Sequence, residues 1–271
     1  VDANYDVFVT GTSVQHVNQD DDLVVLKYKS DGQFQWSSYY DNGVSPTPKN
    51  YGTAITGDNN GSLFVTGSSF STNDQMDYVT LRINSTNGAH LWVSRYDHVS
   101  LNDVAAKIEL HGNQLYITGG SQMTFNKWEL ATVVYNTSNG NLTAEKRSQG
   151  NATHGVNEVY DLSVDNSGYV YVTGAVVKQN TGYDISIYKL DPQLNILWEA
   201  QYDGYGADDR GKGIKVDNQG NVYVAGRLIQ TVNNQSNTNS CKTDVSQLSN
   251  GIYFVRLHDK KRTITKKFIK Q

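Results

Sequence analysis

The sequence predicts an all-β protein built from repeated four-stranded antiparallel units, and three observations carry that expectation. A five-residue motif ending in glycine occurs five times, as Val7-Phe8-Val9-Thr10-Gly11, Leu63-Phe64-Val65-Thr66-Gly67, Leu115-Tyr116-Ile117-Thr118-Gly119, Val170-Tyr171-Val172-Thr173-Gly174 and Val222-Tyr223-Val224-Ala225-Gly226. The closing glycines lie 56, 52, 55 and 52 residues apart, and a near-constant step of that size marks a repeat architecture. The composition suits strands: 18 Tyr against 7 Phe, and only 3 Pro, so that turns fall to the 24 Gly and the many Asn and Asp.

Residues 51–100 serve as the pattern for one unit. A first strand near Tyr51–Gly57 leads through the turn Asp58-Asn59-Asn60-Gly61 into a second, Ser62–Ser68. An Asp opening such a turn accepts bonds from the backbone ahead of it, and the Gly takes the left-handed position at its end. The device recurs as Asp165-Asn166-Ser167-Gly168 and Asp217-Asn218-Gln219-Gly220. A polar loop, 69–75, precedes a third strand, Asp77–Asn84, which recurs as Asp22–Tyr28 and Asp184–Lys189. The fourth strand, His90–Tyr96, contains a Trp followed four residues later by Tyr-Asp. That pattern appears as Trp36 with Tyr40-Asp41, Trp92 with Tyr96-Asp97 and Trp198 with Tyr202-Asp203. The third unit departs from it, with Ala144 and Ser148 at the Trp and Tyr positions, and the fifth reads as two strands only, about 211–229.

Four strands at this step are the arithmetic of a β-propeller blade. The strands fit, because Leu63-Phe64-Val65 and Val170-Tyr171-Val172 are apolar at successive positions, as in strands covered on both faces. The visible four to five repeats read as an open arc, a fragment of a larger ring. The alternative is a four-bladed ring in which the fifth unit's first strand completes the first unit. The chain opens with Val1-Asp2-Ala3-Asn4, already inside a repeat and without a signal peptide, so it reads as a mature or truncated piece.

Composition changes near residue 240. Residues 242–271 hold eight Lys/Arg and two acids, whereas the preceding 241 residues carry 15 basic and 25 acidic groups. We therefore divide the chain into repeats at 1–229, a polar linker at 230–242 and a β segment at 243–271, in which two strands flank a basic turn at Asp259–Arg262. The formal charge of -4 argues against a nucleic-acid surface, which needs a basic stripe. No apolar run is long enough for a membrane-spanning helix, and the single Cys241 excludes an internal disulfide and a cysteine metal site.

The Tyr-Val-Thr-Gly strand, the Asp-led strand and the Trp-to-Tyr-Asp strand resemble the SBBP family, seven-bladed β-propeller repeats of bacterial extracellular proteins. That resemblance covers about residues 1–229 and implies the propeller fold without an active site. The run Asp244-Val245-Ser246-Gln247-Leu248-Ser249-Asn250-Gly251-Ile252-Tyr253-Phe254-Val255-Arg256 and the finish Lys266-Lys267-Phe268-Ile269-Lys270 resemble the C-terminal half of the type A sorting domain of the type IX secretion system. This second resemblance implies an exported protein of a Bacteroidota-type bacterium, secreted or held at the cell surface, whose partner through the tail is the secretion machinery.

The chemistry-bearing residues point to binding rather than catalysis. The six His, at 16, 90, 98, 111, 154 and 258, share no metal-ligand spacing, and Asp20-Asp21-Asp22 lacks the calcium-loop pattern. No nucleophile elbow is present. We therefore expect no catalytic residue, metal or cofactor. Trp36, Trp92 and Trp198 repeat at one position and read as packing. Trp128, in Asn126-Lys127-Trp128-Glu129, has no repeated counterpart and is the candidate binding residue. The expected function is a non-enzymatic interaction or scaffold module, meeting a protein or glycan ligand on the loops 13–21, 68–76, 120–127 and 175–183. The alternative is a propeller-type carbohydrate-active enzyme or carbohydrate-binding module.

Overall fold

The computed structural model describes residues 1–14, 21–43, 49–71, 75–148, 155–156, 158–178, 182–203, 208–227, 251–258 and 263–270. They form strands and turns, with no helix among them. The chain divides into two units, Val1–Ile229 and Gln230–Gln271.

The first unit contains successive antiparallel sheets, each a meander in chain order. Sheet one holds β1 (Val7–Val14), β2 (Asp21–Tyr28) and β3 (Phe34–Tyr40). Sheet two holds β4 (Asn50–Gly57), β5 (Ser62–Phe70), β6 (Met76–Asn84) and β7 (His90–Tyr96). Sheet three holds β8 (Asp103–His111), β9 (Gln114–Thr124), β10 (Lys127–Asn136) and β11 (Leu142–Ser148), with the two-residue β12 (Gly155–Val156) parallel to the start of β10. Sheet four holds β13 (Glu158–Val164), β14 (Val170–Lys178), β15 (Gly182–Leu190) and β16 (Ile196–Tyr202). Sheet five holds β17 (Arg210–Val216) and β18 (Val222–Arg227). Sheets two, three and four thus carry the four-stranded meander of a propeller blade that the repeat predicts, while among the described residues sheet one has three strands and sheet five has two. The sheets do not close into a ring: β17 pairs with β18 rather than with β1. In the second unit, β19 (Gly251–His258) and β20 (Thr263–Lys270) form an antiparallel pair with Tyr253 opposite Phe268. The basic turn between them lies outside the described residues.

Each pair of neighbours among the first four sheets shares one apolar layer. Leu23 and Val25 of sheet one pack with Leu63, Val65 and Leu81 of sheet two. Phe64 and Tyr78 of sheet two pack with Leu115, Ile117 and Val133 of sheet three. Tyr116 and Val134 of sheet three pack with Leu162, Val172 and Tyr188 of sheet four. Consecutive residues of one middle strand therefore enter different layers: Leu115 and Ile117 face back and Tyr116 faces forward. This is why the motif strands are apolar at every position instead of alternating. Each blade relies on its neighbours for burial, as in repeat proteins generally.

The turns form as their residues require. Asp58 Oδ1 accepts the backbone N–H groups of Asn60 and Ser62, and Gly61 holds φ at 94°. Asp165 and Asp217 repeat both bonds at their own turns. Asp2 also does so, toward Asn4 and Asp6, although Tyr5 takes the positive φ there.

The motif glycine is explained by register. In four blades the first strand carries a bulge opposite that glycine, skipping Thr53, Ala106, Tyr160 and Lys212 in turn. The bulge swings a carbonyl of the first strand over the glycine. A Cβ on Gly67, Gly119, Gly174 or Gly226 would fall within 3 Å of the carbonyl of Tyr51, Val104, Glu158 or Arg210. Gly11 is the exception: β1 is the edge of its sheet, and no heavy atom lies within 4 Å of the corresponding point. The glycine thus answers to its own blade's first strand.

The repeated tryptophans lock one blade to the next. The Trp36 ring lies against Gly88, in the turn before β7 of the following blade, and the Trp92 ring lies against Gly140 in the same turn one blade on. Ser38 and Ser94 donate to the carbonyls of those two glycines, at 2.7 and 2.6 Å. In the third blade Ala144 occupies the tryptophan position, and the following turn carries Leu194 instead of glycine. Leu194 holds φ at 64° and is buried in the layer that Ala144 borders. The leucine fills from one side what tryptophan fills from the other. Trp198 faces no such turn among the described residues and is 39% exposed.

Candidate functional site

The four bulged positions converge. Thr53, Ala106, Tyr160 and Lys212 line one cleft of about 520 Å³, together with the residues that follow three of them, Ala54, Lys107 and Asp161. Phe8, Val9 and Thr10 of β1 close another side. Its volume falls in the range of small-molecule sites, about 300–1,000 Å³. A bulged residue leaves the hydrogen-bonded ladder, so its side chain is freed from the two packed faces of the sheet. The repeat therefore brings one side chain from each of the four bulged blades to a common place, outside the ladder.

The cleft has two unlike walls. On one, Thr10 Oγ donates to the Val24 carbonyl at 3.1 Å and Thr53 Oγ donates to the Thr66 carbonyl at 3.2 Å. On the other, Lys107 pairs with Asp161 Oδ1 at 3.3 Å, while Asp161 Oδ2 accepts the Ile214 N–H at 3.0 Å. Below them Glu158 accepts from Arg210 at 2.9 Å and from the Tyr160 hydroxyl. The Lys212 ammonium lies 3.0 Å from the centroid of the Tyr160 ring.

A second polar region sits where the second and third strands meet. The second or third residue of the strand leaving that junction is a buried acid: Asp22 in β2, Asp77 in β6, Glu129 in β10 and Asp184 in β15. Arg95 binds Asp77 at 2.7 Å and Ser69 Oγ at 2.8 Å. Arg147 repeats the arrangement one blade on, with Glu129 at 3.3 Å and Ser121 Oγ at 2.5 Å. Between these two blades the carboxylates of Asp77, Asp97 and Asp103 come within 4.8 Å of one another, the one such grouping among the described residues. They could hold a hard cation, but Arg95 already supplies positive charge to Asp77. Burial pushes Asp103 up to about 6, against the hydrogen bonds from Ser121 and the His98 N–H.

That shift has a sign. Asp103 binds its proton more tightly folded than unfolded, so its contribution to stability is greatest below about pH 4 and is lost as pH rises toward 6. Relative to Asp103→Asn, the native protein should lose about 2–3 kcal/mol of stability between pH 4 and pH 7. Urea melts of both proteins across that range check it. Parallel pH profiles would show that Asp103 is ordinary.

Trp128 is half-buried in β10, with Gly120 beneath its ring. A Cβ on Gly120 would sit 3.1 Å from the indole. The register gives Trp128 counterparts in Met76 and Tyr183, each three residues before the strand position opposite the motif glycine. Exposed Phe125 stands nearby in the chain, in the β9–β10 turn. The structure thus does not bring Trp128 into the cleft. Of the loops expected to carry a ligand, 15–20, 72–74 and 179–181 lie outside the described residues, as does Asp20. The cleft residues escaped sequence reasoning because a bulge is a property of register; the variable residue following Gly52, Ala105, Val159 and Gly211 is its only trace.

Residues 215–271 match the family described as the secretion system C-terminal sorting domain. The match begins in β17 and takes in β18, upstream of the composition break. The protein is accordingly exported through the type IX system of a Bacteroidota-type bacterium, to the cell surface or beyond it. No curated protein matches the chain. Among solved structures it is similar to a protein of unknown function from Bacteroides caccae, with TM-score 0.45, 9% identity, and coverage of 80% of this chain and 64% of that one. It is also similar to the quinohemoprotein alcohol dehydrogenase of Comamonas testosteroni, with TM-score 0.45, 13% identity, and coverage of 75% and 36%. BamB from Moraxella catarrhalis gives TM-score 0.37, 12% identity, and coverage of 83% and 67%. The chain spans less than two thirds of the length of the first two.

Proposed function

We propose that the protein is an exported, non-enzymatic binding module, in which SBBP-like repeats hold a ligand and a C-terminal segment at 243–271, reached through a linker at 230–242, engages the secretion machinery. The observation that carries the reading is the cleft. Four of its lining residues, Thr53, Ala106, Tyr160 and Lys212, come from positions that the repeat leaves free, and motif residues of β1 complete it. The acids at the second-to-third-strand junction support a scaffold role, because Arg95 and Arg147 hold Asp77 and Glu129 in the same way in successive blades. Trp128 and Phe125 would add a second, aromatic contact at the β9–β10 turn.

Incubation with a panel of soluble polysaccharides separates binding from catalysis. Retardation of a polysaccharide in a native gel, with no release of reducing ends, is the expected result. Release of reducing ends that disappears in Asp103→Asn would replace this reading with a glycoside hydrolase.

A further inference from the structure

The ligand's chemistry can be taken further from the charges and hydrogen bonds of the cleft. The two acids near it already face cations: Asp161 pairs with Lys107 through Oδ1, which accepts no hydrogen bond, and takes the Ile214 N–H on Oδ2, while Glu158 accepts from Arg210 and the Tyr160 hydroxyl. Lys212 is the cation left over. Among the described residues its ammonium meets the face of Tyr160 and no carboxylate within ion-pairing distance. An ammonium held on an aromatic face keeps N–H donors available for an anion.

The opposite wall asks for something different. The hydroxyl protons of Thr10 and Thr53 are given to backbone carbonyls. Each oxygen then presents only lone pairs, so this wall accepts hydrogen bonds and does not donate them. A suitable ligand carries an anionic group at one end and hydroxyl donors at the other.

We propose that this cleft binds an acidic sugar, its carboxylate on Lys212 and its hydroxyls donating to Thr10 and Thr53. A free amino acid or peptide terminus meets the first requirement but brings few hydroxyl donors. A neutral hexose meets only the second.

The inference rests on the non-enzymatic reading, and the experiment separates the two. Isothermal titration of the full chain with D-glucuronate should show saturable binding. Acetate, D-glucose and glycylglycine should each bind at least tenfold more weakly. Lys212→Met, at an exposed position outside the core, should weaken glucuronate binding at least tenfold with an unchanged circular dichroism spectrum, and Thr53→Val should weaken it severalfold. Glucuronate binding that is absent, unaffected by Lys212→Met, or matched by glucose or glycylglycine would overturn the proposal. Chromatography of a uronate trisaccharide after incubation gives the other readout: cleavage would sink the non-enzymatic reading while leaving the ligand class standing.

Discussion

Replacing Gly174 or Gly67 by alanine should cost about 3 kcal/mol or more, whereas the same change at Gly11 should cost less than about 0.5 kcal/mol. All three glycines end the same sequence motif, so a sequence comparison would rank them equally. The difference lies in what the first strand does. At Gly67 and Gly174 the bulge places the carbonyls of Tyr51 and Glu158 where a Cβ would go. Backbone cannot rotate away as a side chain does, so relief requires β4 or β13 to shift from its partner. Both strands carry residues of the inter-blade layers, Ile55 in one and Leu162 in the other. A shift would therefore loosen a core layer as well as the ladder. Gly11 lies on an edge strand with open space above it. Urea denaturation of the three variants measures the ranking directly. Equal losses at all three sites would mean that the glycine answers to something intrinsic to its own strand.

The second large effect concerns the junction between the third and fourth blades. Leu194→Gly should destabilise by about 2 kcal/mol, since losing a buried leucine costs about 3 kcal/mol while relieving a left-handed leucine returns about 1 kcal/mol. Ala144→Trp alone should cost about 2 kcal/mol, because the indole would enter space that Leu194 fills. Together the two changes rebuild the pairing seen at Trp36 with Gly88 and Trp92 with Gly140. The double variant should then be more stable than the sum of the single losses by at least about 1 kcal/mol. A double-mutant cycle from denaturation midpoints decides it, and strict additivity would show that the two positions do not share one gap.

How far the sequence could carry this picture depended on whether a feature was local. Blade strands were legible, since two covered faces impose apolar residues at consecutive positions such as Leu115, Tyr116 and Ile117. The hairpin turns were legible too, because Asp58, Asp165 and Asp217 act on backbone only two and four residues ahead. The missing tryptophan at Ala144 was visible, but its compensation at Leu194 was not, because the two meet only across a blade junction. The cleft was illegible for a related reason. Thr53, Ala106, Tyr160 and Lys212 share no residue type, and only pairing register shows that each is skipped. Trp128 drew notice as an unrepeated aromatic. The adjacent Gly119-Gly120 pair, the one doubled glycine in the motif series, was the signal that its ring packs on the backbone.

The bulge separates two demands that most binding proteins must reconcile within one strand. A residue inside the ladder must suit both of the layers it divides, so altering it for a ligand disturbs the fold. A skipped residue is released from that compromise. Copying the unit therefore multiplies scaffold and adjustable positions together, at one in each of the four bulged blades. The four skipped residues, Thr53, Ala106, Tyr160 and Lys212, belong to none of the core layers, so substitutions there can alter the cleft without disturbing the packing between blades.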